Sequence, residues 1–102
     1  MVELIKNHLV ELKQICDKHH VAEIFLFGSA TNSSFNEESD LDFLVQFNDK
    51  INLLDYADNF FSLIESLEKL FNRKVDLLTS TSLKNPILKK EIDNTKIMLY
   101  AA

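Results

Sequence analysis

The sequence predicts an α/β (α+β) domain, a small mixed β-sheet with helices packed on it, and three observations carry that prediction. Apolar residues recur at steps of three and four through 2–19 and again through 53–71, which lines one face of a helix in each. Short runs rich in branched and aromatic side chains, VAEIFLF at 21–27, DLDFLVQF at 40–47 and KVDLLT at 74–79, read as strands. Strands that alternate with helices bury their apolar faces by laying the helices against the sheet. At 102 residues the expected organisation is a single domain over 1–102.

In the first helix Ile5, Leu9, Leu12 and Cys16 form the apolar stripe, and His19 and His20 end it, where a partly charged imidazole complements the helix dipole. The strand at 21–27 contains neither Gly nor Pro and stops at Gly28. Residues 29–39 are almost wholly polar, with Phe35 their one large apolar residue, and read as a loop with a short helical turn after Ser29. In the second strand Leu41, Phe43, Val45 and Phe47 face one way, and Asp40, Asp42, Leu44 and Gln46 the other. After the turn NDKIN at 48–52, the long helix carries a core stripe of Leu53, Ala57, Phe60, Ile64, Leu67 and Phe71. Its apolar residues fill about 200° of a helical wheel, beyond the ordinary stripe. Tyr56, Leu63 and Leu70 at one edge, with Leu54 and Phe61 at the other, are therefore expected as spare apolar surface. A third strand at 74–79 follows, and after Pro86 residues 87–100 read as helix and then either helix or a final edge strand.

Composition narrows the function. Eleven Lys+Arg against 16 Asp+Glu give a net charge of −5, which opposes the phosphate attraction behind most nucleic-acid affinity, so no long nucleic acid is expected as partner. A hydrophobic share of 46% with 26% charged residues describes a soluble globular chain. No apolar run approaches the roughly 20 residues that span a bilayer, and the amphipathic start lacks signal-peptide character, so no membrane and a cytoplasmic location are expected. The single Cys16 excludes an internal disulfide and a multi-Cys zinc site, and its place on the apolar stripe marks it as core. Average usage would supply about seven Gly and five Pro, and this chain has one of each. The lone Gly28 stands where an apolar run meets a polar one, where a chain needs a tight turn or a close approach of backbone to ligand.

The chemistry converges at that glycine. Asp40 and Asp42, at i and i+2 on a strand, point to one face about 6 to 7 Å apart. Asp76 repeats the arrangement on the third strand, where Val75 and Leu77 turn toward the core. Each carboxylate alone is more often a solvated surface residue; together with Gly28 and Ser29 they form a candidate site. If the third strand lies beside the second, three carboxylates converge. At ~4 Å such groups repel by about 4 kcal/mol per pair at an effective dielectric of 20. A divalent cation resolves that conflict, and an all-oxygen set with room for water and phosphate oxygens suits Mg²⁺ better than Ca²⁺. Mg²⁺ implies a phosphorylated substrate, to which the Gly28-Ser29 turn offers backbone N–H groups and a hydroxyl. Ser39 reads as a turn cap.

With GSATNSSFNEESDLDFLV at 28–45 and VDLLT at 75–79, the chain resembles the minimal nucleotidyltransferase family of the DNA polymerase β-like nucleotidyltransferases. The hallmark of that family is Gly-Ser, ten residues, Asp-x-Asp and a later single Asp. The resemblance covers nearly the whole chain and implies the minimal polymerase β-like fold. It further implies that Asp40 and Asp42 bind two Mg²⁺ ions, and that Asp76 completes one metal site and favours deprotonation of the attacking hydroxyl. Gly28 and Ser29 would bind the nucleotide, with Ser29 on the triphosphate tail. The implied reaction is in-line displacement at the α-phosphate of a nucleoside triphosphate, releasing pyrophosphate. One departure stands out: the family commonly continues Gly-Ser-x-Ala-Arg-Gly, whereas Thr31, Asn32 and Ser33 occupy this stretch here. An Arg there adds charge-assisted bonds to phosphate that Asn32 cannot replace; Arg73 and Lys74, or Lys84, Lys89 and Lys90, are the nearest basic substitutes.

No residues remain for a domain that would hold an RNA or antibiotic acceptor, so a partner protein is expected. The chain resembles the antitoxin half of HEPN and minimal-nucleotidyltransferase pairs, which implies transfer of AMP from ATP to a tyrosine of a HEPN ribonuclease toxin, within a hetero-oligomer. Two alternatives stay beside that expectation. One is an antitoxin that neutralises its toxin by binding alone; the other is a transferase acting on a small hydroxyl compound with a partner subunit.

Overall fold

The computed structural model describes residues 3–102. In chain order it contains α1 (Glu3–Lys6), α2 (Leu9–Lys18), β1 (Val21–Phe27), a 3-10 turn (Gly28–Thr31) and β2 (Leu41–Phe47). A second 3-10 turn (Leu53–Asp55) leads into α3 (Tyr56–Phe71), followed by β3 (Val75–Thr79), a third 3-10 turn (Ser80–Ser82), α4 (Pro86–Thr95) and β4 (Ile97–Ala101). The strands form one sheet in the order β3-β2-β1-β4, in which β1 runs antiparallel to both β2 and β4 while β2 and β3 are parallel. A parallel pair needs a crossover, and α3 supplies it. Among the described residues no helix is long and apolar enough to cross a membrane.

The main core lies on one face of the sheet. Ile24 and Leu26 of β1, Leu41, Phe43 and Val45 of β2, and Val75 and Leu77 of β3 are buried there with Ile5, Leu12 and Cys16 of the first helices and Leu63, Leu67 and Phe71 of α3. Phe43 and Phe71 stack with ring centroids 6.0 Å apart. Burial pushes the Cys16 thiol up to about 12, which leaves it unreactive at neutral pH. His19 ties the two helical layers together: its Nδ1 donates to the Ile15 carbonyl at 2.7 Å and its Nε2 pairs with the Ser62 hydroxyl at 3.0 Å. On the opposite face Leu44 is buried, and the Lys96 ammonium just beyond α4 stands 4.4 Å from the Phe25 ring centroid.

Three elements differ from the sequence expectation. The first helix breaks at Asn7-His8 into α1 and α2, and the His8 ring turns inward to bond the Leu4 carbonyl and meet Phe71 edge-on; Val2, at the start of the expected helix, lies outside the described residues. Strand β2 begins at Leu41, so Asp40 belongs to the preceding loop. The stripe of the long helix holds from Phe60 onward, with Phe60, Ile64, Leu67 and Phe71 in or against the core, but it is wider and shorter than expected: Leu63 is fully buried, whereas Leu53, in the turn before α3, is 86% exposed and Ala57 is also exposed. Leu63, Leu67 and Phe71 are buried in the core, Phe60, Ile64 and Leu70 are partly buried against it, and the start of α3 meets the end of β2 through the edge-on pair of Tyr56 with Phe47. Of the expected spare surface, Leu54 and Phe61 are exposed and Leu63 is not. After Pro86 the chain forms α4, capped by the Asn85 side chain, which accepts from the N–H groups of Ile87 and Leu88, and then the edge strand β4.

Leu63→Ala is expected to lose about 2–5 kcal/mol in urea unfolding. Leu54→Ala should stay within about 0.5 kcal/mol. Equal losses at the two positions would contradict the burial of Leu63 and the exposure of Leu54.

Candidate active site

Strand directions bring the sequence-predicted residues to one end of the sheet. Because β1 runs antiparallel to β2, its last residues lie beside the first residues of β2; because β3 is parallel to β2, its start lies there too. The register pairs Phe27 with Asp42 and Asp42 with Asp76. Paired residues on adjacent strands share a face and sit about 4.8 Å apart across the ladder. That face is opposite the core: Asp42 lies half-buried between buried Leu41 and Phe43, and Asp76 lies exposed between buried Val75 and Leu77. Asp40 is half-buried at the end of the loop that enters β2.

Gly28 follows β1 with φ +75°, a left-handed backbone that disfavours any residue with a Cβ. A Cβ at that position would also overlap the Asp42 carboxylate oxygen Oδ2. The lone glycine of the chain is therefore required twice, by the turn and by the aspartate that packs on it. The turn is closed by the Thr31 hydroxyl, which donates to the Gly28 carbonyl at 2.7 Å, and by the Asn32 N–H, which donates to the Ser29 carbonyl at 3.1 Å. Ala30 is buried beneath it, and Ser29 is half-buried. A groove of about 250 Å³ opens between this turn and α4, lined by Gly28, Thr31 and Asn32 on one side and Leu88, Glu91 and Thr95 on the other.

The Asp42 carboxyl is held above the ordinary carboxylate range, first by burial and then by the charges of Asp76 and Asp40. The three acidic residues therefore share one electrostatic neighbourhood, with the strain concentrated on Asp42. Their carboxylates are not already drawn into a cage, because among the described residues no three His, Cys, Asp or Glu side chains are gathered for metal binding. The strand register brings the three positions together, close enough for the charges of Asp76 and Asp40 to act on Asp42. The donor set fits Mg²⁺ nonetheless. It is all oxygen, it carries excess negative charge, and a cation would relieve the interactions that raise Asp42.

Of the basic residues expected near phosphate, Arg73 is engaged elsewhere: its Nη1 donates to the carbonyls of Asn36 and Ser39, and its guanidinium lies over the Phe35 ring. Lys89 is paired with Asp93 at 3.1 Å. Lys74 enters the site through its backbone, its carbonyl accepting from the Leu41 N–H at 3.0 Å. The role of Arg73 was missed in the sequence, where the one available signal was Phe35, a lone aromatic in a polar loop.

Residues 10–102 match the family described as Polymerase beta, Nucleotidyltransferase. A relative from Methanocaldococcus jannaschii is 41% identical over 95 residues, covering 93% of this chain and 90% of its own. Protein adenylyltransferase MntA of Thermococcus cleftensis is 39% identical over 77 residues, 76% of this chain and 74% of its own. Among solved structures, a minimal nucleotidyltransferase superposes with a TM-score of 0.73 at 29% identity, covering 93% of this chain and 92% of that one. A chain from the complex of tri-AMPylated Shewanella oneidensis HEPN toxin with MNT antitoxin shares the fold, with a TM-score of 0.65 at 17% identity over 95% of this chain and 72% of that one.

The raised Asp42 sets a pH dependence. A carboxyl whose folded value lies above its unfolded value binds protons better when folded, so its contribution is present at low pH and is lost as pH rises through the folded value. Asp42→Asn, which removes the charge, is therefore expected to be more stable than the parent at pH 7, by less than about 1 kcal/mol for a partly solvent-screened group. The difference should shrink toward zero as pH falls through the carboxylate range, read by thermal unfolding at a series of pH values.

Proposed function

Because the chain belongs to the polymerase β nucleotidyltransferase family, we propose that it is a Mg²⁺-dependent protein adenylyltransferase that moves AMP from ATP to a tyrosine of a HEPN ribonuclease toxin and acts as its antitoxin. The observation that carries this reading is the in-register pair of Asp42 and Asp76 beside the Gly28 turn. The name of the Thermococcus relative and the composition of the Shewanella complex, which shares this fold, support the acceptor.

When bound, two Mg²⁺ ions would neutralise phosphate charge and polarise the α-phosphate. Asp40 and Asp42 hold that charge at the head of β2, where Asp42 is already destabilised as a free anion. Asp76, exposed on the neighbouring strand, would complete one of the two metal sites and favour loss of the acceptor hydroxyl's proton. The Ser29 hydroxyl and the backbone of the 28–31 turn bind the triphosphate and fix the α-phosphate for in-line attack. The partner surface is proposed at the turn before α3 and the first turns of that helix, where Leu54 is 88% and Phe61 65% exposed. Tyr56, Phe60, Leu77 and Leu78 line an adjoining groove of about 330 Å³.

A second reading, neutralisation by binding alone, is favoured by one specific observation: Asn32 replaces the customary Arg, and Arg73 is committed to the loop. Labelled ATP, Mg²⁺ and the HEPN partner distinguish the two. Transfer predicts label on a toxin tyrosine and a loss of at least about a hundredfold in rate for Asp42→Asn, equivalent to about 2.7 kcal/mol of transition-state stabilisation. Tight complex formation without label would establish binding alone, and neither label nor complex would end both readings. Leu54→Lys combined with Phe61→Lys is expected to weaken the complex by about tenfold or more in a titration while leaving the thermal unfolding of the free protein nearly unchanged.

A further inference from the structure

The loop that delivers Asp40 is held from outside by one side chain. Residues 36–39 close a turn through Ser39 N–H to Asn36 carbonyl at 3.1 Å, Asn36 N–H to Ser39 Oγ at 3.1 Å and Glu38 N–H to Asn36 Oδ1 at 2.8 Å. Arg73 Nη1 then donates to both ends of that turn, to the Asn36 carbonyl at 2.7 Å and the Ser39 carbonyl at 2.8 Å, and its guanidinium lies 4.5 Å from the Phe35 ring centroid. On the other side of Asp40, the Leu41 N–H donates to the Lys74 carbonyl at 3.0 Å. Asp40 is therefore straddled: the residue before it and the residue after it are both bonded to the 73–74 dipeptide. That dipeptide is itself anchored, since Asn72 ends α3 in a left-handed conformation and the Val75 N–H donates to Glu68 Oε2 at 3.1 Å.

We propose that Arg73 is a positioning residue for the metal site, fixing Asp40 relative to Asp42 and Asp76 by clamping the 35–39 loop to the start of β3. The metal consequence rests on the function proposed above, whereas the clamp itself does not. Arg suits the task because its planar fork stacks on a ring while it donates to carbonyls in the same plane, a geometry a lysine ammonium cannot reproduce. A carboxylate at a loop end has its own entropy to lose on binding a cation, and a clamp that orders it beforehand removes that loss.

The test compares the parent with Arg73→Ala and Arg73→Lys, using Leu99→Val on the distant β4 as a control for general destabilisation. Two readouts are taken on the full chain: backbone amide relaxation by NMR over residues 35–41, and affinity for Mn²⁺, used as the paramagnetic probe for the Mg²⁺ site. The expected result is loss of order confined to 35–41 in Arg73→Ala, with Mn²⁺ affinity lower by about 10- to 100-fold, the range for residues that orient metal ligands. Arg73→Lys should recover only part of either effect, and Leu99→Val should change neither. Unchanged order at Ser39-Asp40 in Arg73→Ala overturns the proposal, as does loosening of the loop with Mn²⁺ affinity intact. If Arg73→Ala fails to fold, Arg73→Lys decides by the same two readouts. A parent that binds no Mn²⁺ and transfers no AMP would instead overturn the proposed function, and the amide readout would still judge the clamp.

Discussion

The site depends on one backbone constraint, the parallel pairing of β2 with β3 in the register that sets Asp42 against Asp76. Side-chain direction in a strand alternates with a period of two, so a slip of one residue would carry Asp76 to the core face and bring Val75 and Leu77 out into water. The burial of those two residues against α3 therefore fixes the register, and the register in turn places the carboxylate. Core packing and site geometry are here the same requirement, expressed on opposite faces of a five-residue strand.

Crowding at the head of β2 follows from that constraint. Gly28 has no side chain, which lets the Asp42 carboxylate pack against the end of β1, and the resulting burial adds to the charges of Asp76 and Asp40 in making the anion unfavourable. A protein selected only for stability would place an amide or an apolar residue at position 42. An acidic group kept where it is costly belongs to the class of stability losses that mark functional positions. The same crowding explains why the glycine cannot be exchanged, since a Cβ there would meet both an unfavourable φ and the carboxylate itself.

Much of this was legible in the sequence because it depends on local periodicity. The 21–27 strand was read with its observed bounds, and alternation correctly put Asp42 opposite Leu41 and Phe43. What was not legible depends on how far elements extend relative to one another. No local pattern in 53–71 tells that the helix starts only at Tyr56 or how wide a face the sheet covers, so Leu53 and Ala57 look like core and Leu63 like surface. At the break the His8 ring meets Phe71, a contact far along the chain that a local window does not show. The choice between helix and strand after Lys96 was settled by pairing with β1, which is likewise non-local.

The same distinction applies to the basic residues. From the sequence, Arg73 and the absent Arg at position 32 look like donor and vacancy in a single phosphate site, because both are cations considered near one glycine turn. In the fold they concern different problems. A residue at position 32 lies on the Gly28–Thr31 side, facing the groove toward α4, whereas Arg73 lies beyond the opposite end of the loop, at the start of β3. The Arg73 Nη1 already donates to two carbonyls with its guanidinium over a ring, so swinging the group away to a phosphate at the 28–31 turn would release the loop carrying Asp40. Binding the triphosphate through Arg73 and positioning Asp40 through Arg73 thus compete for one side chain. With Asn32 offering no charge at the turn and Arg73 occupied at the loop, the proposed nucleotide site would depend on cations held by the carboxylates, and so on the order of the Asp40 loop.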